Sequence, residues 1–225
     1  MKMAFKLTTF IMVFLAFVAC NNKTTGTKAK TATAQATPTT AITKATTYQL
    51  NSGILNWTGS KALGSAHQGT IYLSKGTLGV TAGGKITTGN FTIDMNSITN
   101  TDMKEGQGKE KLEGHLKAGD FFDVAKFPTG SFQITQVEPV KGIANVTHNV
   151  TGNLTLKGVK KSVTIPATIS VAGGKVTAVS PSFTIDRTEW GIQYGSGSIV
   201  GLAKDKVIND DITLVLELSA SIVKN

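Results

Sequence analysis

The sequence is poor in cysteine, aromatic side chains, charge and proline. One cysteine, Cys20, in 225 residues rules out a disulfide-stapled scaffold. Aromatic residues at 7% and charged residues at 16% are both low. No apolar run reaches the roughly 20 residues that a membrane-spanning helix needs, which excludes a polytopic helical membrane protein. What is plentiful is glycine, with 24 residues, and threonine. That balance favours strands and turns.

The formal charge of +9 is unevenly placed. Residues 1–47 hold Lys2, Lys6, Lys23, Lys28, Lys30 and Lys44 and no acid, so they carry +6 of it. The remainder has 17 basic against 14 acidic groups, a net of +3. A nearly balanced folded part removes the main support for a nucleic-acid partner.

Met1 to Lys6 is a short positive segment, and Leu7 to Val18 is an apolar run broken by Thr8 and Thr9. Ala19-Cys20 follows, then Asn21-Asn22. A charged start, an apolar middle and a small residue before the cut make a secretion signal over residues 1–19. The cysteine after the small residue resembles a bacterial lipoprotein signal, with Cys20 as the lipidated first residue of the mature chain. Acyl chains there would anchor the protein to a membrane. Residues 20–47 are rich in Thr, Ala and Lys and lack an apolar period, so they are expected to form a flexible tether.

From Tyr48 onward the dominant pattern is alternation. Val146, Val150, Leu154 and Leu156 share one parity; Asn145, Thr147, Asn149, Thr151, Asn153 and Thr155 share the other. This describes a half-buried strand with Thr and Asn toward water. Similar runs recur at Phe91–Met95, Val163–Val171, Phe183–Ile185 and Ile212–Ala220. Turn signals at Lys75-Gly76, Gly83-Gly84, Lys157-Gly158 and Gly173-Gly174 separate them. About eight to ten antiparallel strands in one domain, 48–225, must close into a barrel or pack as two sheets. The stretch Asn100–Phe127 breaks the pattern. Leu112 and Leu116 predict a short helix over Lys109–Lys117, ended by Gly119. Phe121, Phe122 and Phe127 follow closely, which suits an insertion folded back over an apolar opening.

Four motifs then carry a resemblance. They are Tyr48-Gln49-Leu50, the run His115–Pro128 (HLKAGDFFDVAKFP), the run Val150–Lys161 (VTGNLTLKGVKK) and Asp186–Ile192 (DRTEWGI). In this order they resemble the YceI-like family of polyisoprenoid-binding, lipocalin-like proteins. The resemblance implies an all-β, eight-stranded antiparallel barrel with a short helical insertion near its mouth and an isoprenoid chain in an apolar interior. Alternation alone favours a filled core over a hollow interior; the resemblance reverses that order.

Parity nominates Leu55, Trp57, Ile71, Phe91, Ile93 and Met95 for the lining of such a site. Val150, Leu154, Phe183, Ile185 and Leu216 join them, with Phe121 and Phe122 from the insertion. Arg187 shares parity with Phe183 and Ile185. It points either at a polar ligand head or into an ion pair with Asp186, Glu189 or backbone. His67, His115 and His148 have no metal-site spacing, and His148 reads as a core histidine. Gly195-Ser196-Gly197-Ser198 matches neither a nucleophile elbow nor a dinucleotide loop.

The expectation is therefore a bacterial cell-envelope lipoprotein, lipid-anchored to the outer membrane and facing the periplasm. It would bind a polyisoprenoid or similar long-chain lipid, without catalysis, metal, cofactor or nucleic acid. A homodimer is left open. Two alternatives stand beside it: an envelope enzyme using Asp186, Arg187 and Glu189, and a surface interaction module using the outer Thr/Asn face.

Overall fold

The computed structural model describes residues 26–37, 45–198, 201 and 203–223. The signal segment 1–19 and Cys20 lie outside the described residues. The strands in chain order are β1 (Thr27–Lys28), β2 (Lys30–Thr33), β3 (Ala45–Ser60), β4 (Ala66–Thr81), β5 (Ile86–Asn100) and β6 (Thr129–Pro139). Then come β7 (His148–Leu156), β8 (Val159–Ala172), β9 (Lys175–Val179), β10 (Phe183–Asp186) and β11 (Asp211–Ile222). Helix α1 (Lys109–Lys117) lies between β5 and β6, and a 3₁₀ turn (Arg187–Trp190) follows β10.

Strands β3 to β9 pair antiparallel with their neighbours, and β11 pairs with both β9 and β3. The result is a closed eight-stranded antiparallel barrel with one short helical insertion, as the alternation and the resemblance together led us to expect. Closure removes the exposed edges that an open sheet of this size would carry. Two-residue turns join β7 to β8 at Lys157-Gly158 and β8 to β9 at Gly173-Gly174, with positive φ at all four residues. Lys75-Gly76 is not a turn: it lies inside the 16-residue β4, beside a register shift that bends the strand. Helix α1 spans the expected residues. It begins at Gly108 in a left-handed conformation and ends where Ala118 turns extended.

The barrel has a seam. Strand β9 is five residues long and bridges β8 and β11 at one end only, through Thr168–Ala172 and Glu217–Ser221. Toward the other end β11 pairs with β10, and β8 pairs with β2. Strand β1 runs parallel to β10. Residues 27–33, expected within a tether, are thus strands that close the wall. Alternating Thr and small Ala suit an edge position, and Ala29 is buried in the core. Asn153 keeps its outward parity but is 3% exposed, because the segment after β2 crosses over it: Gln35 and Asn153 exchange two hydrogen bonds of 2.8 and 2.7 Å.

Two apolar clusters wall the interior. One, around Trp190, Phe183, Ile98 and Ile192, sits at the insertion end. The other, around Tyr48, Leu78, Val80 and Val176, sits at the end of the β4–β5 and β8–β9 hairpins.

Candidate functional site

The interior is not filled. A cavity of about 480 Å³ lies between the sheet and the insertion, and a narrower one of about 100 Å³ lies deeper among apolar side chains alone. Leu55, Ile93, Leu154, Ile185 and Leu214 line both, so the two are consecutive chambers. The larger falls within the range of about 300–1,000 Å³ typical of ligand pockets. Phe91 and Phe132 are the bulky rings on the wall of the deeper chamber, with Phe183. The backbones of Gly76 and Gly152 lie against the Phe91 and Phe132 rings, where a Cβ would collide with them.

The structure places every candidate lining residue on a chamber wall. Phe91, Val150, Phe183 and Leu216 line the deep chamber. Trp57, Ile71, Met95, Phe121, Phe122 and Arg187 line the outer one, and the shared walls include Leu55, Ile93, Leu154 and Ile185. Phe127 does not join Phe121 and Phe122; its ring lies over Gly158 in the β7–β8 turn. The parity argument overlooked Phe132, although it alternates with Ile134 in the same way. It also overlooked Tyr194 and Ile208, which sit in a long loop without alternation.

Polar groups gather at one end. Ser60, Lys61, Ser65, His67, His115, Arg187, Tyr194 and Lys206 line the outer chamber, and among the described residues no carboxylate does. Lys61 and Lys206 come from adjacent loops: Lys61 pairs with Ile208, and Ala62 N–H donates to the Val207 carbonyl at 2.9 Å. The insertion is tied down over this end. Glu113 Oε1 accepts from the Asn100 N–H at 2.8 Å. Lys157 Nζ donates to the Gly119 carbonyl at 2.9 Å. His115 bonds Asp120 at 2.8 Å and sets its ring edge-on to Phe121 and Tyr194, at 5.0 and 4.6 Å. His67 bonds Asp102 at 2.9 Å. Partial burial works to raise the Asp102 pKa, but hydrogen bonds from Gln68 N–H, His67 and Asn100 outweigh it and hold the carboxyl below its ordinary value.

Arg187 is 3% exposed. Nε donates to the Asn209 carbonyl at 3.2 Å and Nη1 to the Ile192 carbonyl at 2.7 Å. Nη2 donates to the Ile208 carbonyl and to Asp210 Oδ1, both at 3.2 Å. Burial lowers its pKa while Asp210 and Asp186 oppose the shift; guanidinium stays charged regardless. The ion-pair partner is Asp210, not Asp186 or Glu189. Asp186 caps the 3₁₀ turn through the Thr188 N–H at 2.9 Å, and Glu189 pairs with Lys161 at 2.9 Å. The three groups of the enzyme alternative are thus each engaged elsewhere. Ser196 and Ser198 both donate to Asp210 Oδ2, at 2.9 and 2.7 Å, so the glycine-rich loop is clamped to the same carboxylate. His148 is half-buried and bonds the Thr147 hydroxyl at 2.8 Å, away from both chambers. Among the described residues no group of three or more His, Cys, Asp or Glu is placed to hold a metal.

The YceI-like domain family model matches residues 55–220, which takes in the insertion and the barrel apart from the first part of β3 and the end of β11. The chain belongs to the YceI-like family. Relatives include a UPF0312 protein of Pseudomonas aeruginosa, 33% identical over 111 residues, covering 47% of this chain and 52% of the relative. A UPF0312 protein of Pseudomonas putida is 34% identical over 117 residues, covering 47% of this chain and 59% of the relative. The matches thus span about half the length of these curated relatives. Among solved structures, BcnA from Burkholderia cenocepacia superposes with a TM-score of 0.55 at 21% identity, covering 75% of this chain and 96% of that one. A polyisoprenoid binding domain from Saccharophagus degradans gives 0.54 at 18%, covering 78% and 98%. These two show that the YceI-like barrel described here is a recurrent fold. The segment 26–37 lies outside the span that the YceI-like model matches.

Proposed function

We propose that this YceI-like protein is a cell-envelope lipoprotein that holds a polyisoprenoid or similar long-chain lipid inside its barrel, for storage, transport or sequestration. The observation that carries this reading is the pair of consecutive chambers. One is wholly apolar, and the other is apolar with polar side chains at a single end. That asymmetry suits an amphiphile with a hydrocarbon tail and a polar head. Transfer of apolar surface from water contributes about 25 cal/mol per Å², so a long tail supplies its own driving force. The structural neighbour described as a polyisoprenoid binding domain has the same fold and supports the ligand class.

Gentle purification, organic extraction and mass spectrometry test the reading. A near-stoichiometric long-chain lipid is the expected result; an extract free of such lipid, with no uptake of prenols on addition, would refute it. The envelope part of the proposal rests on Cys20 and the signal before it. Incorporation of labelled fatty acid into the wild type and its loss in Cys20→Ser would support the anchor, and unlabelled wild type would overturn it.

A further inference from the structure

The N-terminal arm, Gly26–Thr37, is bound differently from the rest of the wall. Its two strands are two and four residues long, whereas β3 and β4 have 16 residues each. Its side chains are Thr, Lys, Gln and Ala, and only Ala29 is buried in the core. The Lys28–Asp211 ion pair at 2.8 Å is exposed on both sides and screened by water. Beneath the start of the arm, the buried Ser182 hydroxyl has no hydrogen-bond partner among the described residues. It would regain one from water if the arm left. Gly26 sits so close that a Cβ there would come within 2.8 Å of that hydroxyl and 2.9 Å of the Phe183 nitrogen.

The arm nevertheless occupies a decisive place. It fills the gap between β8 and β10, in register with Val163 through Thr31 and with Phe183 through Thr27. Val163 and Phe183 both line the deep chamber, and Ala29 joins the core cluster that contains them. A short segment with little buried apolar area is the kind that opens at low free-energy cost while the rest of a domain stays folded. Cys20 is seven residues before Thr27, a reach of at most about 25 Å. A lipid on Cys20 would therefore hold this seam, rather than a freely swinging barrel, close to the membrane.

We propose that the arm is a removable stave: its release opens the β8–β10 seam as a side door through which a lipid tail passes between the membrane and the deep chamber. This rests on the lipid-site reading above. The door admits the tail broadside, without withdrawal of the insertion that covers the polar end.

A disulfide lock tests it. Ala32 and Ser162 are paired across β2 and β8, so Ala32→Cys with Ser162→Cys, in the full chain carrying Cys20→Ser, joins the arm to the wall. The probe is cis-parinaric acid, a fluorescent long-chain polyene, followed by stopped flow. Oxidation is expected to slow both association and dissociation by about tenfold or more without changing their ratio, and reduction to restore them. Equal rates in both states would overturn the side door while leaving the lipid site intact. No uptake by the reduced protein would overturn both. Hydrogen exchange on the unmodified chain gives an independent reading. The Ala29 amide, which donates to the Thr184 carbonyl at 2.8 Å, should exchange about a hundredfold faster than amides of the β3–β4 ladder. Exchange of Ala29 only by global unfolding would mean that the stave never leaves.

Discussion

At the residue scale, Arg187 shows how one buried charge is made tolerable. It spends its donors on three carbonyls and Asp210, and through Asp210 it holds Ser196 and Ser198. Arg187→Ala would take from the half-buried Asp210 carboxylate its charge partner, leaving it only the two serine hydroxyls, and would remove the donor to three carbonyls. Such losses cost about 3–5 kcal/mol, to be read from the midpoint of urea unfolding. A variant of unchanged stability but weakened lipid affinity would instead make Arg187 a head-group contact. Asp102 gives a pH-dependent test. Its folded pKa is held below the ordinary carboxylate value of 3.8, so its stabilising contribution is complete above that value and fades as pH falls through the lowered one. Asp102→Asn should therefore melt below wild type at pH 7, with a deficit of about 1–2 kcal/mol. The gap should close in strong acid; a deficit independent of pH would show that the charge is not the source. Parity with Phe183 and Ile185 made the inward course of Arg187 legible in the sequence. Its partner was not, because Asp210 lies 23 residues on, and loop closure rather than local spacing brings the two together.

At the scale of elements, the strands pair bulky rings with glycines. Trp57 on β3 faces Gly69 on β4, Phe91 on β5 faces Gly76 on β4, and Phe132 on β6 lies against Gly152 on β7. A strand glycine lets the neighbouring ring lie flat on the backbone and lets the sheet curve. Gly69→Ala tests this. The added methyl would overlap the Thr99 carbonyl oxygen and press on the Trp57 indole. Overpacking of this kind costs about 1–3 kcal/mol, here with a shift in Trp57 fluorescence; a melt identical to wild type would show that the ladder yields freely. Helix α1 and the two-residue turns were readable because each depends on local signals: the Leu112/Leu116 spacing and glycines at positive φ. Lys75-Gly76 carries the same local signal and means something else, since Gly76 serves the Phe91 ring rather than a turn. The arm strands were not readable at all. Thr-Lys-Ala-Lys-Thr-Ala-Thr has no apolar alternation, and only the seam left by the short β9 gives it a place to pair.

At the scale of the molecule, alternation decides which side chains face inward but not whether they meet. The same inward set fills a narrow barrel and leaves a void in a wider one, because the space depends on strand number and stagger. Here Leu55, Ile93, Leu154, Ile185 and Leu214 wall both a roomy outer chamber and a tight inner one, and so mark where a passage between the two would run. A ligand short enough to stay in the outer chamber is indifferent to that passage, whereas a long tail must thread it. Ile93→Trp places an indole at the passage while keeping the wall apolar. Titration of the variant against prenols of increasing length should leave short chains within about twofold of wild type and weaken the longest by about tenfold or more, since the displaced tail surface returns to water at about 25 cal/mol per Å². Uniform weakening at all lengths would instead mean that the head end, and not the depth of the barrel, sets affinity. Unaltered binding at all lengths would mean that the tail never enters the deep chamber.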